Sequence, residues 1–597
     1  VLGTGGWRLL KALGINCDVL HLNEGHPAFA VLERAADYMR WSGTDFRTAL
    51  RATAAGNIFT THTPVDAGFD RFPQELIAQY MEPFIGNLGI ELDDLLALGR
   101  VNGPDAHEPF NMAYLALRCS ARINGVSSLH GEVSRGIFQR LFPEWPQREV
   151  PISHVTNGVH MPSWDSAHAD TLWTDSCGKE RWLGTQEGLE ARFRAVNDET
   201  LWEFRVHQRQ DLIHNLRRRL IRQQQARGHG RARAESLVER LDPNCLTIGF
   251  ARRFAIYKRP DLLLHDPERL VRLLNDVERP VQLVVAGKAH PNDREGRQMV
   301  RRWSDFMHHS QARGRMVFVE DYSIGLATEL VQGVDLWLNT PLRPWEASGT
   351  SGMKVLVNGG LNLSELDGWW AEAYRPEVGW AIGDGREHDH DPAWNVREAE
   401  QLYSLLEDEV VPAFYERDDQ GIPTAWVERL RESMAHLTPT FSANRMVRNY
   451  TEDYYLPAAA DWRRRTENNG ALAEELEEWR ESIEEHWPQL RFGSCNIEED
   501  GDHYLFRLQI FLDEMEPDFI AAQLYAIPRS EGEQAVWPLE RVRALPGTIN
   551  GFIFEGRVPA DRPSGHYTPR LVPFHQDARV PLESSLILWR RARPSPP

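Results

Sequence analysis

The 597-residue chain reads as an α/β protein that ends in an all-β domain. Three observations predict this. From about Asn244, short apolar runs alternate with amphipathic helical stretches, the pattern of a parallel sheet covered on both faces. Before that point, two apolar runs end abruptly in polar loops, as strands do where they meet a cleft. From Leu490 the texture changes to short alternating segments separated by turn residues, which predicts a β-sandwich.

Taken in order, the run 18–22 is a buried strand that ends at Asn23-Glu-Gly-His-Pro27 and leads into a helix through Met39. Glu24 and His26 then sit at a strand's carboxyl end, as cleft residues or as hydrogen-bonded structural ones. Asn57-Ile-Phe-Thr-Thr-His62-Thr-Pro repeats the arrangement, with His62 either a satisfied buried histidine or a cleft residue. Asn111-Met-Ala-Tyr-Leu-Ala-Leu opens a helix, and Asn124-Gly-Val-Ser-Ser-Leu-His130 follows it. The runs 245–250, 281–286, 316–319 and 334–338 are the strands of the second half. They empty into Arg252-Arg253-Phe-Ala-Ile-Tyr257-Lys258-Arg259, Gly287-Lys-Ala-His290, Glu320-Asp-Tyr322 and Asn339. Ligands of open α/β sheets bind at the carboxyl ends of the strands, so these tips should converge on one crevice.

Two stretches carry chemistry. Arg252, Arg253, Lys258 and Arg259 place four cations in eight residues after a buried strand. They form either a solvated face or a bed for two adjacent phosphates, whose mutual repulsion demands such a cluster. The second stretch is Pro344-Trp-Glu-Ala-Ser-Gly-Thr-Ser-Gly-Met-Lys354, continuing to Gly360. Gly349, Thr350, Ser351 and Gly352 can turn tightly and aim N–H groups at a phosphate, and a helix expected over 353–358 adds its positive end. A lysine in that field loses its proton more readily and can then react with an aldehyde, as pyridoxal 5'-phosphate requires. The same string also reads as a helix cap with a solvated lysine.

Composition narrows the function classes. A net charge of −20 argues against nucleic acid or an acidic membrane surface as a main partner and is compatible with neutral sugar polymers. Cys17, Cys119, Cys177, Cys245 and Cys495 are scattered, odd in number and without C-x-x-C spacing, which suits reduced thiols in a cytoplasm. No run reaches the length of a membrane span, and the opening Val1-Leu-Gly-Thr is neither a signal peptide nor a start at Met, which points to an incomplete chain. Glu387-His-Asp-His-Asp391 lacks metal-ligand spacing and reads as a solvated loop, so no metal is expected. Trp345, Trp369 and Trp370 suit sugar stacking or core packing. Residues 441–487 read as helix rich in Glu and Arg, and 504–512, 520–527, 549–558, 566–572 and 586–589 as the strands of the tail.

These motifs resemble those of the α-glucan (glycogen, starch, maltodextrin) phosphorylases. Glu346-Ala-Ser-Gly-Thr350 and Met353-Lys354 match the family's cofactor segment E-A-S-G-T-G-N-M-K, with Ser351-Gly352 in place of Gly-Asn. Asn23 to Ala28, the His62 loop, Asn111 to Leu115, Asn124 to His130 and Thr156-Asn157-Gly158 resemble further family segments in the same order. Arg253 to Arg259 is similar to R-I-H-E-Y-K-R, with Ala255-Ile256 replacing His-Glu, so contacts made by that His are not implied here. The β tail points to a shorter bacterial branch of the family.

The resemblance implies two Rossmann-like domains of the glycosyltransferase B type, the first incomplete, and a β-sandwich. The implied boundaries are 1–155 for a remnant of the N-terminal domain, 156–440 for the cofactor domain, 441–488 for a helical segment crossing back, and 489–597 for the sandwich. It implies pyridoxal 5'-phosphate bound covalently to Lys354, with Thr350, Ser351 and Arg252 as further cofactor contacts. Arg253 and Lys258 would hold inorganic phosphate, His62 and Tyr257 would touch the sugar at the cleaved bond, and Asn157, Glu346, Ser348 and Gly349 would hold sugar hydroxyls. The implied reaction is reversible, retaining phosphorolysis of an α-1,4-glucan to α-glucose 1-phosphate, and the implied assembly is a homodimer. Two other readings stand beside it. One is a nucleotide-sugar glucosyltransferase of the same fold. The other is an inactive glucan-binding protein, since nothing matches the family's upstream G-G-L-G-R phosphate segment.

Overall fold

A computed structural model describes residues 1–103, 105, 107–239, 241–309, 314–388, 391–530 and 532–590. The chain divides into two compact units. One comprises Val1–Asn124, Ser134–Ser153 and Asp453–Pro597, the other Gly125–Val133 and His154–Glu452. The architecture is mixed α/β, with two parallel sheets and a larger antiparallel one. Among the described residues no helix is long and apolar enough to cross a membrane.

In the first unit, strands β1 (Leu20–Asn23) and β2 (Asn57–Thr60) run parallel in the register Leu20↔Asn57 to Asn23↔Thr60. The short pair β3 (Arg71–Phe72) and β4 (Phe110–Asn111) is antiparallel and stands apart. Strand β5 (Arg122–Gly125) joins β2, and β6 (Ile152–His154) completes the order β1-β2-β5-β6. The first strand therefore begins two residues later than the apolar run suggests. The helix after it, Phe29–Ser42, buries most of one flank against this sheet. From within that helix Arg34 donates to the carbonyls of Asp18 and Gly56 and to the Asn57 side chain. Burial pushes its guanidinium down to about 9.

The stretch expected to be helical over 441–487 is helical with one kink. Ala443–Asn449 continues through a π-helical turn, Tyr450–Tyr455, into Leu456–Thr466, and Ala471–His486 follows. Asn468 and Asn469 adopt left-handed φ values of 53° and 58° between the last two, a conformation that Asn tolerates better than most residues. The last two helices pack in the first unit, where Arg465 and Arg51 both reach Glu583 of the tail.

The tail is a seven-stranded antiparallel sheet in the order β13-β14-β17-β16-β15-β18-β19. Its strands are β13 (Arg491–Asp500), β14 (His503–Phe511), β15 (Ile520–Tyr525), β16 (Val536–Ala544), β17 (Gly551–Pro559), β18 (Thr568–Pro573) and β19 (Leu588–Trp589). The first half of β16 pairs with β15 and its second half with β17. One strand thus joins the two halves of a continuous sheet, where the sequence suggested two separate layers. Strands β13 and β16 have no sequence signal because their exposed charged residues hide the alternation. Phe506, Leu508 and Phe554 share one apolar cluster with Leu524, Trp537 and Leu571.

The second unit is built on a six-stranded parallel sheet of order β12-β11-β10-β7-β8-β9. Its strands are β7 (Leu246–Ala251), β8 (Val281–Ala286), β9 (Met316–Val319), β10 (Leu336–Asn339), β11 (Leu361–Glu365) and β12 (Gly379–Ile382). Strands β7, β8, β10 and β11 are buried along their whole length, as befits a sheet covered on both faces. The chain winds from β7 outward through β8 to β9, returns to β10 beside β7, and continues outward to β12. The direction reverses between β7 and β10, and crevices at such reversals are where α/β sheets bind ligands. Strands β11 and β12 lie in a stretch for which the sequence suggested none, because Asn362 and Ser364 interrupt the apolar run.

Candidate functional site

The loops that leave β7 and β10 flank that reversal, and they carry the two stretches singled out by chemistry. After β7, Arg252 N–H donates to Ala286 O and Phe254 N–H to Lys288 O, so the loop continues along the neighbouring strand. Phe254 is fully buried beneath it. The chain then turns through Ile256–Lys258 into Arg259, whose φ is 41°. The guanidinium of Arg259 is buried, pairs with Glu365 and Glu398, and donates to the carbonyls of Thr340 and Pro341. The fourth cation of the cluster therefore staples one loop to the other and is not free for a ligand.

Arg252 and Lys258 meet the opposite loop through one atom. Arg252 Nη2 and Lys258 Nζ each lie 2.7 Å from the same Oε2 of Glu346. Burial alone would raise the Glu346 carboxyl, but the two cations outweigh it and hold it below its ordinary value. Burial and the adjacent Arg252 push Lys258 down to about 8 in spite of Glu346. Arg253 stands differently from its expected partnership with Lys258. It is exposed, and its Nη2 lies 3.5 Å from the Tyr257 hydroxyl, at the limit of a hydrogen bond. Tyr257 also places its ring 4.9 Å from Lys258 Nζ and 6.2 Å from the ring of Trp345.

Glu346 is positioned through its backbone. Its N–H donates to Asp367 Oδ2, while the other Asp367 oxygen accepts from Gly368 N–H. Burial pushes the Asp367 carboxyl up to about 7 despite those two donors. Gly368 has φ 52°, and a Cβ there would stand 2.5 Å from Ser348 O, so the close approach of the two turns requires glycine. Ser127 Oγ donates to Ala347 O and Trp369 N–H to Ser348 O, which completes the frame of the loop.

The helix bearing Lys354 spans Thr350–Leu356 and begins directly after Gly349, which has φ 84°. It thus starts and ends earlier than the expected 353–358, because the left-handed glycine sets its first turn. Lys354 Nζ lies 3.9 Å from the centroid of the Trp164 ring, and among the described residues it forms no ion pair. Burial holds its amine below the ordinary lysine value. Asn358 fixes Trp164 by donating to its carbonyl and accepting from Ser166 N–H. Ser351 Oγ accepts from the indole of Trp337. Three buried polar atoms around this loop, Ser348 Oγ and the Nε and Nη1 of Arg252, have no hydrogen-bond partner among the described residues. Buried donors without partners are costly, and an anion with several oxygens would satisfy them.

Asn157 is placed by its backbone, which donates to Val126 O and accepts from Arg445. Trp369 and Trp370 are buried core residues and not sugar platforms. His62 lies in the first unit, in the loop after β2. Its N–H donates to Glu24 Oε2, its ring approaches Asn23 Oδ1 at 3.1 Å, and burial holds the imidazole below its ordinary value. His26 pairs with Asp70. Asp389 and His390 of the candidate metal loop lie outside the described residues, among which no group of three metal-ligating side chains occurs.

The sequence reading passed over Trp164, Asp367 and the structural role of Arg259. The Asp367-Gly368 turn carried a signal for the second of these. Trp164 had none, because its importance lies in proximity to a residue far along the chain.

Residues 15–379 match the carbohydrate phosphorylase family. The chain is 38% identical over 594 residues to a glycogen phosphorylase of Mycobacterium tuberculosis, covering 96% of this chain and 68% of that protein. It is 36% identical over 599 residues to a maltodextrin phosphorylase of Thermococcus litoralis, covering 99% and 69%. It is 39% identical over 458 residues to a glycogen phosphorylase of Aquifex aeolicus, covering 76% and 65%. A shared carboxylate between two cations at the sheet's reversal, a lysine on the helix that follows which forms no ion pair among the described residues, and these likenesses lead to one conclusion: the chain belongs to the carbohydrate phosphorylase family.

Proposed function

We propose that this chain is a pyridoxal 5'-phosphate-dependent α-1,4-glucan phosphorylase that releases α-glucose 1-phosphate with retention at the anomeric carbon. The observation that carries the reading is the bridge from Arg252 and Lys258 to Glu346 in the loop that leads into Lys354. Two cations held apart by one internal carboxylate form a site that an incoming phosphate can enter by displacing that carboxylate.

The residues fit the cofactor. Lys354 has a depressed pKa and no counter-ion among the described residues, as a covalent anchor for an aldehyde needs. Arg252 and Ser348 hold buried donors without partners, and Thr350 and Ser351 open the helix beside them. When bound, pyridoxal 5'-phosphate supplies a phosphate whose second ionisation falls near neutral pH, a proton donor and acceptor for the reaction. In this reading Arg252 takes the cofactor's phosphate, and Lys258 and Arg253 take the substrate phosphate. Arg253, at the exposed edge, swings inward to do so. Glu346, once displaced from the cations, accepts from sugar hydroxyls with Ser348 and Gly349. His62, Tyr257 and Asn157 contact the glucosyl unit. No pair of carboxylates across the scissile bond is required, which separates the site from glycosidases.

The fold reading behind this is a glycosyltransferase B arrangement, with residues 1–155 in the first Rossmann-like domain and 156–440 in the cofactor domain. Residues 441–488 then return to the first domain, and 489–597 form the β domain. The decisive experiment incubates the chain with maltodextrin, phosphate and the cofactor, and measures glucose 1-phosphate alongside a borohydride-stabilised mass on Lys354. Release that disappears in Lys354→Ala supports the reading. Sugar transfer from a nucleotide donor without mass on Lys354 would replace it with a glucosyltransferase, and glucan binding without any turnover would replace it with a binding protein.

A further inference from the structure

The turn that carries Asn157 is pinned through its backbone by residues that have no part in the proposed chemistry, all of them in the second unit. Asn157 N–H donates to Val126 O at 3.0 Å, and Asn157 O accepts from Arg445 Nη2 at 3.0 Å. The preceding carbonyl, that of Thr156, accepts from Nη1 of the same guanidinium at 2.6 Å. One planar fork therefore holds two successive peptide groups, which fixes the rotation of the turn as well as its position. Arg445 is itself braced: its Nε donates to Thr440 O at 2.6 Å and its Nη1 to Asn449 Oδ1 at 3.3 Å.

The residues on either side complete the frame. Val159 N–H donates to Phe441 O, and Ala443 N–H donates back to Val159 O, a bridge between the turn and the start of the helix Ala443–Asn449. A Cβ on Gly158 would stand 2.1 Å from Ser442 O, so the two backbones approach as closely as glycine permits. On the other side, Thr156 Oγ1 donates to the carboxylate of Glu372, 2.8 and 3.0 Å from its two oxygens. Glu372 is solvent-exposed, so its share of the restraint is the smaller one. The Asn157 amide is the exception to all this pairing. It makes no hydrogen bond among the described residues, so a rigid backbone presents one free side-chain donor and acceptor.

We infer that Arg445 is a positioning residue for the reaction: by holding the peptide groups on both sides of Asn157, and with Glu372 steadying Thr156, it presents the Asn157 amide to the sugar already oriented. The inference rests on the phosphorylase reading for the role of Asn157. Arg445 gains its effect without touching substrate, because a turn that is already fixed gives up no freedom when the sugar arrives.

The test is a mutant cycle, read by phosphorolysis of maltopentaose and by calorimetric titration of the same sugar. Asn157→Ala removes the amide. Arg445→Lys keeps the charge but replaces the fork with one flexible ammonium that cannot hold both carbonyls, and Thr156→Val removes the hydroxyl that reaches Glu372. Asn157→Ala is expected to lower kcat/KM for maltopentaose by about tenfold, Arg445→Lys by about fivefold and Thr156→Val by about twofold, the range spanned by one hydrogen bond made well or badly. Thr156→Ser, which keeps the hydroxyl, should restore the wild-type value, and KM for phosphate should stay near wild type throughout. In the Asn157→Ala background Arg445→Lys should have little further effect, since a positioning residue acts through the group it positions. Wild-type kcat/KM in Arg445→Lys, or an equal loss with and without the Asn157 amide, overturns the inference. Maltopentaose binding that shows the same non-additive pattern in a chain without phosphorolysis would uphold it and sink the phosphorylase reading. Phosphorolysis with additive losses would do the reverse, and a wild-type chain that neither binds nor cleaves maltopentaose would sink both.

Discussion

Lys354 and Trp164 are in direct contact, with the amine 3.9 Å from the centre of the indole. The ring attracts the charged form through its π face but also keeps water away, and the net direction of the lysine pKa is down. Desolvation wins. Trp164→Ala should therefore raise the pKa of Lys354 toward the ordinary value, and Trp164→Phe should change it little. Mass-spectrometric acylation of Lys354 across pH reads this directly: in Trp164→Ala the reactivity curve moves to higher pH. An unmoved curve would show that the ring does not control the amine.

Glu346 neutralises two cations at once, so Glu346→Gln leaves Arg252 and Lys258 side by side with no counter-ion. Loss of one partner from a buried ionic cluster costs about 3 kcal/mol. The variant should melt at lower temperature than the wild type, and added phosphate should recover more stability in the variant than in the parent. Thermal melts with and without phosphate test it. Equal gains in both proteins would mean that the anion does not bind between these cations.

Burial pushes Lys258 down to about 8 in the folded protein, below the ordinary lysine value of 10.5. Between those two values the unfolded chain binds more protons than the folded one, so this group makes stability rise with pH over that window. Phosphate binding has the opposite slope, since it needs the charged amine, and should weaken as pH passes 8. Titration calorimetry from pH 6.5 to 9.5 checks the slope. Lys258→Arg, which keeps its charge, should flatten it.

Gly368→Ala combines a left-handed φ with a Cβ 2.5 Å from Ser348 O and 2.8 Å from Glu346 O. The conformation alone costs about 1–2 kcal/mol, and the clash pushes the Glu346 loop away from Arg252. Phosphate affinity should fall with stability. A variant with wild-type phosphate affinity would show that the loop can relax without moving Glu346.

Glu583 anchors the tail to Arg465 and Arg51. Although burial opposes it, these cations hold its carboxyl at about 2, below its ordinary 4.5. A depressed carboxylate stabilises the fold above its unfolded pKa and loses that contribution as pH falls from about 4.5 to 2. The shift corresponds to about 3 kcal/mol. Glu583→Gln should lose roughly that amount at pH 7 and much less at pH 3, as urea unfolding at the two pH values would show. A loss independent of pH would assign the effect to packing alone.

Residue pattern was enough to mark four of the six strands of the second sheet, most clearly β7 and β8, unbroken apolar runs that only a doubly covered sheet can bury. It also determined the two chemical stretches, 252–259 and 344–354, whose residue types are explicit. It did not reveal β11, β12, β13 or β16; in β11, β13 and β16 polar residues mask the period.

Tertiary structure alone decided how the cations are divided. Four positive charges look alike in a string of letters, yet Arg259 is spent on Glu365 and Glu398, Arg252 and Lys258 share Glu346, and Arg253 stays at the exposed edge. Strand order decided this, by setting β10 beside β7 and so bringing one loop against the other. The lysine's environment was settled the same way. An amine's proton affinity depends on what packs within a few ångströms of it, and Trp164 reaches that place only through the fold.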